Sequence, residues 1–253
     1  MSITLVTHCW APPEFAFYAD ALRVQLWSLN RYPPDTLCSV CVCHDPEDKE
    51  TVTAIKAYQW NGPETINIVP YPMERGELFR RSIARNRIGK ALHPSADAML
   101  LLDADMAFGE GCLTKLTSII RAGQLPVLST PTFHLISKDH ATGDALLASV
   151  RAGNEPRLDP ENFVPKRHRT TLGGLMIMRR DAALEGYLDE RLWQKPSDPD
   201  KGFAEFLCDT THRRRMAGKG REWIRIDLPN WFRVRHSRSS LNPSGDPSRY
   251  RLK

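Results

Sequence analysis

Over residues 3–129 the chain alternates short apolar, β-branched runs with helix-length amphipathic segments, a rhythm that only a few architectures can accommodate. Residues 3–6 form the first strand-like run, and Pro12-Pro13 breaks the chain before a helical pattern begins. Over residues 15–29 the apolar positions Phe15, Tyr18, Ala19, Leu22, Leu26 and Leu29 recur at spacings of three and four, as one buried face of a helix requires. Tyr32-Pro33-Pro34 ends that helix. The pattern then predicts strands over 36–43, 66–69, 98–102 and 127–129, and helices over 47–58, 77–92 and 112–122. Such a sequence folds as an α/β protein with a Rossmann-like, mainly parallel central sheet flanked by helices. In sheets of this kind ligands bind beyond the carboxyl ends of the strands, where His8, Asp45 and Asp103 fall.

Residues 138–165 are polar and contain Gly143, Gly153, Pro156 and Pro160, which predicts a mobile surface segment with a helix over 144–151. Strand character returns at 172–178. With 253 residues and 41% hydrophobic content the chain can bury one substantial core. We expect one catalytic domain over 1–236, divided into halves 1–130 and 131–236, and a basic, flexible tail over 237–253. Apolar runs such as 98–102 are far shorter than the roughly 18 to 20 residues that span a bilayer. The amino terminus lacks a basic segment, a long apolar stretch and a small-residue cleavage site, so a cytoplasmic protein without an integral membrane segment is expected. Six cysteines without regular spacing agree with a reducing compartment, and Cys38, Cys41 and Cys43 read as small residues packed within a strand.

The acidic motif Asp103-Ala104-Asp105 closes the apolar strand over 98–102. In an extended segment residues i and i+2 face the same way, so both carboxylates can address one cation, and the small Ala104 leaves the backbone approachable. Mg²⁺ and Mn²⁺ are usually held by one or two carboxylates and completed by water and phosphate oxygens, which suits a nucleoside diphosphate. The preceding helix is basic, with Arg80, Arg81, Arg85 and Arg87, and these side chains cannot all point into one site.

Taken together, Ala84-Arg85-Asn86-Arg87, the strand ending in Asp103-Ala104-Asp105, the glycine pair in Thr171-Leu172-Gly173-Gly174, and Asp189-Glu190-Arg191 resemble the family 2 GT-A glycosyltransferases over residues 1–236. The resemblance implies a GT-A fold, a nucleoside-diphosphate sugar as donor, with a UDP-sugar favoured, and a divalent cation, Mn²⁺ or Mg²⁺. It implies that Thr7, His8 and Asp45 contact the nucleoside and that Arg85 approaches the base or ribose. His8 as a packed histidine and Asp45 as a turn former before Pro46 are the alternatives. Gly173 and Gly174 would let the backbone approach the sugar, and Asp103 and Asp105 would hold the cation, with His236 as a further ligand. The family's Glu-Asp pair is not preserved. Aligning on Arg215-Met216-Ala217-Gly218 makes Asp209 the first candidate for the general base, and Glu205, one helical turn earlier, the second.

The charge distribution bears on the acceptor. Residues 212–253 carry twelve Lys or Arg against three acids, a net +9 on a chain whose total is +5, and Trp223, Trp231, Phe232 and Tyr250 are interleaved with them. This points to a polyanionic partner, and a nucleic-acid acceptor such as a hydroxymethylated base in DNA is the sharpest reading. A glycan or other small-molecule acceptor is the alternative. A non-catalytic nucleic-acid-binding module would explain the basic end but leave Asp103 and Asp105 without a role.

Overall fold

The computed structural model describes residues 1–11, 13–59, 63–78, 81–92, 94–167, 175–186, 216–221 and 223–237. In chain order these form β1 (Ser2–Cys9), α1 (Phe17–Arg31), β2 (Leu37–His44), α2 (Lys49–Gln59), β3 (Ile66–Pro72), α3 (Arg75–Leu78), α4 (Arg81–Lys90), β4 (Ala96–Asp103), β5 (Met106–Phe108) and α5 (Cys112–Arg121). They continue with β6 (Leu128–Pro131), β7 (Phe133–Ser137), α6 (His140–Arg151), β8 (Phe163–Arg167), β9 (Leu175–Arg179), α7 (Arg180–Leu184), β10 (Trp223–Ile226) and β11 (Trp231–Arg233).

Seven strands make one sheet in the order β10-β6-β9-β4-β1-β2-β3. It is parallel except at β9, which runs antiparallel to both β4 and β6. The expected α/β architecture with a mostly parallel sheet is therefore present. Both faces are covered, which explains why the strands read as apolar runs. Leu100 and Leu102 join Ile3, Leu5, Leu22, Leu26 and Leu29 in one core, while Met99 and Leu101 join Val6, Ile83, Ile88 and Ala183 in the other. Each fully buried leucine contributes on the order of 1.5 to 3 kcal/mol through removal from water. The three strand cysteines Cys38, Cys41 and Cys43 are buried in β2 with free thiols, as their alternation predicts.

A second sheet, in the order β5-β11-β7-β8, was not apparent in the sequence. Its strands are three to five residues long and come from segments far apart in the chain. A third core of Phe17, Val24, Leu147, Val150, Phe163, Phe232 and Val234 fills the space between this sheet, α1 and α6. Asp20, buried on α1, accepts from Arg23 Nη1 at 2.6 Å and from Arg151 Nε at 2.9 Å, which ties α1 to α6.

Several boundaries differ from expectation. The segment 138–165 is more regular than a mobile surface stretch. Its helix begins at His140, because Asp139 caps it by accepting from Thr142 N at 2.7 Å, and β8 starts at Phe163. The basic helix expected over 77–92 is described as α3 and α4, on either side of residues outside the described set, and the Arg87 guanidinium links them by donating to both carboxylate oxygens of Glu77 at 3.0 and 2.6 Å. The strand expected at 172–178 is described from Leu175 onward, and the tail lies outside the described residues after Ser237. Among the described residues no helix is long and apolar enough to cross a membrane.

Candidate functional site

The chain runs from β1 through β2 to β3 in one direction and then returns to place β4 on the other side of β1. This reversal opens a crevice at the carboxyl ends of β1 and β4, the usual ligand position in such sheets. His8 and Asp103 are partners in the ladder there. A cavity of about 490 Å³ lies at this point, lined by His8, Tyr18, Asp103, Ala104, Asp105, Ile136, Lys166, Arg233, Arg235 and His236. Its volume is within the range typical of small-molecule sites.

The acidic loop is held by buried polar groups. Gln25, on the otherwise apolar face of α1, donates through Nε2 to the carbonyl of Asp103 at 2.9 Å. One turn later Ser28 Oγ accepts from Phe108 N at 3.0 Å and donates to the Gln25 carbonyl at 2.7 Å. From the other side Val234 N donates to the Asp105 carbonyl at 2.8 Å. Ala104 is buried in the main core, so its small side chain anchors the turn as well as leaving room above it.

Arg233 extends from β11 onto the two carboxylates. Its Nε donates to Asp105 Oδ2 at 2.9 Å, and its Nη2 lies 3.8 Å from Asp103 Oδ2. The charge of Asp105 raises the guanidinium above its ordinary value, burial opposes this, and Asp103 adds to it. One cation thus addresses both carboxylates, which is the arrangement a hard metal ion would need. Among the described residues no group of three or more His, Cys, Asp or Glu side chains is arranged to hold a metal. Two carboxylates that converge on one cationic position are the donor set that a divalent cation accepts when phosphate and water oxygens complete its shell.

Helix α6 positions the far wall. At Gly143 an added Cβ would meet the Arg235 carbonyl at 1.9 Å, so only glycine lets the helix lie this close to the segment just after β11 that carries Arg235 and His236. Ser137 Oγ accepts from Arg235 N at 3.1 Å, and Asp144 Oδ1 accepts from Ser237 N at 3.1 Å. The buried His236 ring lies 4.6 Å from Phe17 and edge-on to Tyr18.

Of the residues singled out in the sequence, His8, Asp103, Ala104, Asp105 and His236 come together in this cavity. Three do not line it. Thr7 is fully buried in the sheet between Val42 and Leu102. Asp45 is buried after β2, where its Oδ1 accepts from Glu47 N at 2.9 Å and closes a turn. Arg85 is fully buried in α4, near enough to Cys43 for its charge to oppose the upward shift that burial imposes on that thiol. Gly173, Gly174, Glu205 and Asp209 lie outside the described residues.

Sequence reasoning missed Tyr18, Lys166, Arg233 and Arg235 as lining residues, and Gln25, Ser28 and Gly143 as supports. One pattern could have found the supports on α1, and another, too short to identify a strand by itself, surrounds Arg233 and Arg235. Gln25 and Ser28 are polar at helical spacing on an apolar face, and Trp231-Phe232-Arg233-Val234-Arg235 has the alternation of a strand.

No family model matches the sequence, and no curated protein matches it significantly. Solved structures do. A Pyrobaculum calidifontis mannosyltransferase, PcManGT, in complex with GDP-Man and Mn²⁺, is similar over 94% of this chain and 58% of its own, with a TM-score of 0.52 and 15% identity. Mouse xyloside xylosyltransferase 1 in its apo form is similar over 90% of this chain and 85% of its own, at a TM-score of 0.49 and 11% identity. S. aureus TarS 1–349 in complex with UDP matches over 55% of this chain and 36% of its own, at a TM-score of 0.37 and 15% identity. The chain thus spans little more than half of the mannosyltransferase. At this identity the likeness establishes the fold, a GT-A-like glycosyltransferase fold.

Proposed function

We propose that this chain is a metal-dependent, inverting glycosyltransferase that moves a sugar from a nucleoside-diphosphate sugar, a UDP-sugar in our reading, to an acceptor hydroxyl. The observation that carries this reading is the cavity at the reversal of strand order, where Asp103 and Asp105 converge on one cationic position beside Lys166 and Arg235. Two carboxylates and two exposed basic side chains suit a cation and a diphosphate together. The likeness in fold to a mannosyltransferase solved with GDP-Man and Mn²⁺ supports the donor class.

A Mn²⁺ or Mg²⁺ ion held by Asp103 and Asp105 would neutralise charge on the diphosphate; His236, the further ligand in the sequence reading, lines the same cavity but forms no three-ligand group with them among the described residues. Lys166 and Arg235 would contact the phosphates, and Tyr18 and His8 would bound the donor. Thr7, Asp45 and Arg85, the nucleoside contacts of the sequence reading, are buried outside the cavity lining and take no part in this proposal. By the sequence resemblance Gly173-Gly174 would approach the sugar, and Asp209, with Glu205 as the second candidate, would take the proton from the acceptor hydroxyl. The acceptor oxygen then bonds to the anomeric carbon as the bond from that carbon to the diphosphate oxygen breaks, with inversion. The acceptor we favour is a hydroxymethylated base in DNA, supported by the net +9 of residues 212–253.

The test is a donor screen with UDP- and GDP-sugars in Mn²⁺ or Mg²⁺. Release of nucleoside diphosphate is followed with hydroxymethylated DNA, unmodified DNA and oligosaccharides as separate acceptors. EDTA-sensitive release stimulated by hydroxymethylated DNA is expected. Release stimulated only by oligosaccharides would move the acceptor to a glycan. DNA binding without any donor turnover would leave a binding module.

A further inference from the structure

Arg233 is chemically unlike the other basic residues of the cavity, because it already spends its charge on the acidic pair. Its Nε lies 2.9 Å from Asp105 Oδ2 and its Nη2 lies 3.8 Å from Asp103 Oδ2, and its side chain is 31% exposed. This placement is built into the backbone. Arg233 is in register with Met106 in the antiparallel β5–β11 pair, and the next residue, Val234, donates to the Asp105 carbonyl at 2.8 Å. Any shift of β11 would therefore move the guanidinium and the acidic loop together.

Resting on the donor reading above, we infer that Arg233 is a resident counter-cation that competes with the divalent ion for Asp103 and Asp105 and releases them when a diphosphate arrives. A guanidinium does not lose its proton in the working pH range, so it cannot yield the site by becoming neutral. A divalent ion placed on the same carboxylate oxygens would lie within a few ångströms of that fixed positive charge, where repulsion is weakly screened. The ion and the guanidinium therefore exclude one another until a second anion offers Arg233 another partner. A diphosphate provides it, since its oxygens match the planar donors of a guanidinium as well as a carboxylate does. Arg235 and Lys166 line the same cavity and have exposed side chains, so the phosphate would enter beside Arg233.

The consequence is a coupling between two ligands. The full chain alone should hold Mn²⁺ weakly, and UDP should tighten Mn²⁺ by a factor of ten or more, with Mn²⁺ tightening UDP equally. In Arg233→Gln the competitor is gone, so Mn²⁺ alone should bind about tenfold tighter than in wild type, and the effect of UDP on Mn²⁺ should shrink to a few-fold. Arg233→Lys keeps a positive charge and should stay close to wild type in the Mn²⁺-only titration.

The experiment is Mn²⁺ titration followed by electron paramagnetic resonance, with and without UDP, on wild type, Arg233→Gln and Arg233→Lys, each checked by circular dichroism. Tighter Mn²⁺ binding by Arg233→Gln without nucleotide supports the inference. Equal Mn²⁺ affinity with and without UDP in wild type overturns it, and this arm needs no variant to fold. If wild type binds no UDP in any titration, the donor reading falls. The nucleotide-free comparison of wild type with Arg233→Gln then decides the inference, and an unchanged Mn²⁺ affinity there overturns it.

Discussion

The four parallel strands β1 to β4 and the small sheet β5-β11-β7-β8 both contribute to the cavity, yet they are built in opposite ways. The parallel unit is made of consecutive chain, and its inner strands β1, β2 and β4 are apolar runs buried on both faces, while β3 closes the edge. The small sheet collects short strands from residues 106–108, 133–137, 163–167 and 231–233, and it carries Lys166 on the edge strand β8 and Arg233 on the inner strand β11. The first unit supplies a frame and the ends of two strands, His8 and Asp103. The second supplies most of the charge that faces them. The candidate site sits at the seam because neither unit alone brings carboxylates and basic groups to one point.

Removing the acid at the seam should have the largest effect. Asp105→Ala is expected to lower donor turnover by roughly 10²- to 10³-fold, the size associated with losing one electrostatic contact to developing charge. Circular dichroism should show the fold retained, and wild-type turnover would break the assignment of the pair.

Gly143→Val tests whether the small-sheet side can fail separately. The added atoms collide with the Arg235 backbone, a clash that typically costs about 1 to 3 kcal/mol or more. Hydrogen exchange should accelerate in α6 and β11 while β1, β2 and β4 keep their protection. Uniform loss across both sheets would show that the two units unfold as one.

Gln25→Ala acts from the opposite side. It removes the bond to the Asp103 carbonyl and should lower stability by about 1 kcal/mol, with donor affinity reduced a few-fold. Thermal melts and nucleotide titrations measure the two effects, and unchanged donor affinity would show that Val234 suffices to place the loop.

The smallest effect near neutrality concerns the thiols, four of which, Cys9, Cys38, Cys41 and Cys43, belong to the parallel unit among the five described free cysteines. Burial pushes Cys9 up to about 12 and Cys41 up to about 11 from the ordinary 9.0, and raises Cys38 and Cys43 as well. A raised value means that keeping these thiols neutral stabilises the fold fully below pH 9, and that this contribution disappears as pH climbs from 9 through 11 to 12. No labelling of these four by a thiol reagent is expected at pH 8, and near-UV circular dichroism should begin to change above pH 9. Labelling of Cys41 at pH 8 without unfolding would show that β2 opens locally.

How far each unit could be read in the sequence follows the same division. Strand β4 and its terminal Asp103 stood out because five consecutive apolar residues meet an acid, a contrast local in sequence. Helix α1 stood out through the spacing of Leu22, Leu26 and Leu29, although its support role passes through Gln25 and Ser28, which that spacing treats as exceptions. Strand β11 was hidden. Three residues carry too little periodicity to identify a strand, and Arg233 reads as one more charge in a basic stretch. Asp45 follows its strand as expected, whereas Thr7, expected in the loop after the first strand, lies within β1, because that strand continues to Cys9; whether such a residue faces a cavity or the core depends on the packing around it.

By itself the sequence determined the α/β alternation, the parallel frame and the acidic ending of β4, because these depend on periodicity and on neighbours within a few residues. Only the tertiary structure decided that Arg233, some 130 residues later, would rest on Asp105, and that Gly143 would let a helix close over the segment that follows β11. Those contacts come from long-range strand pairing and close packing, which no local pattern of hydrophobic and polar residues encodes.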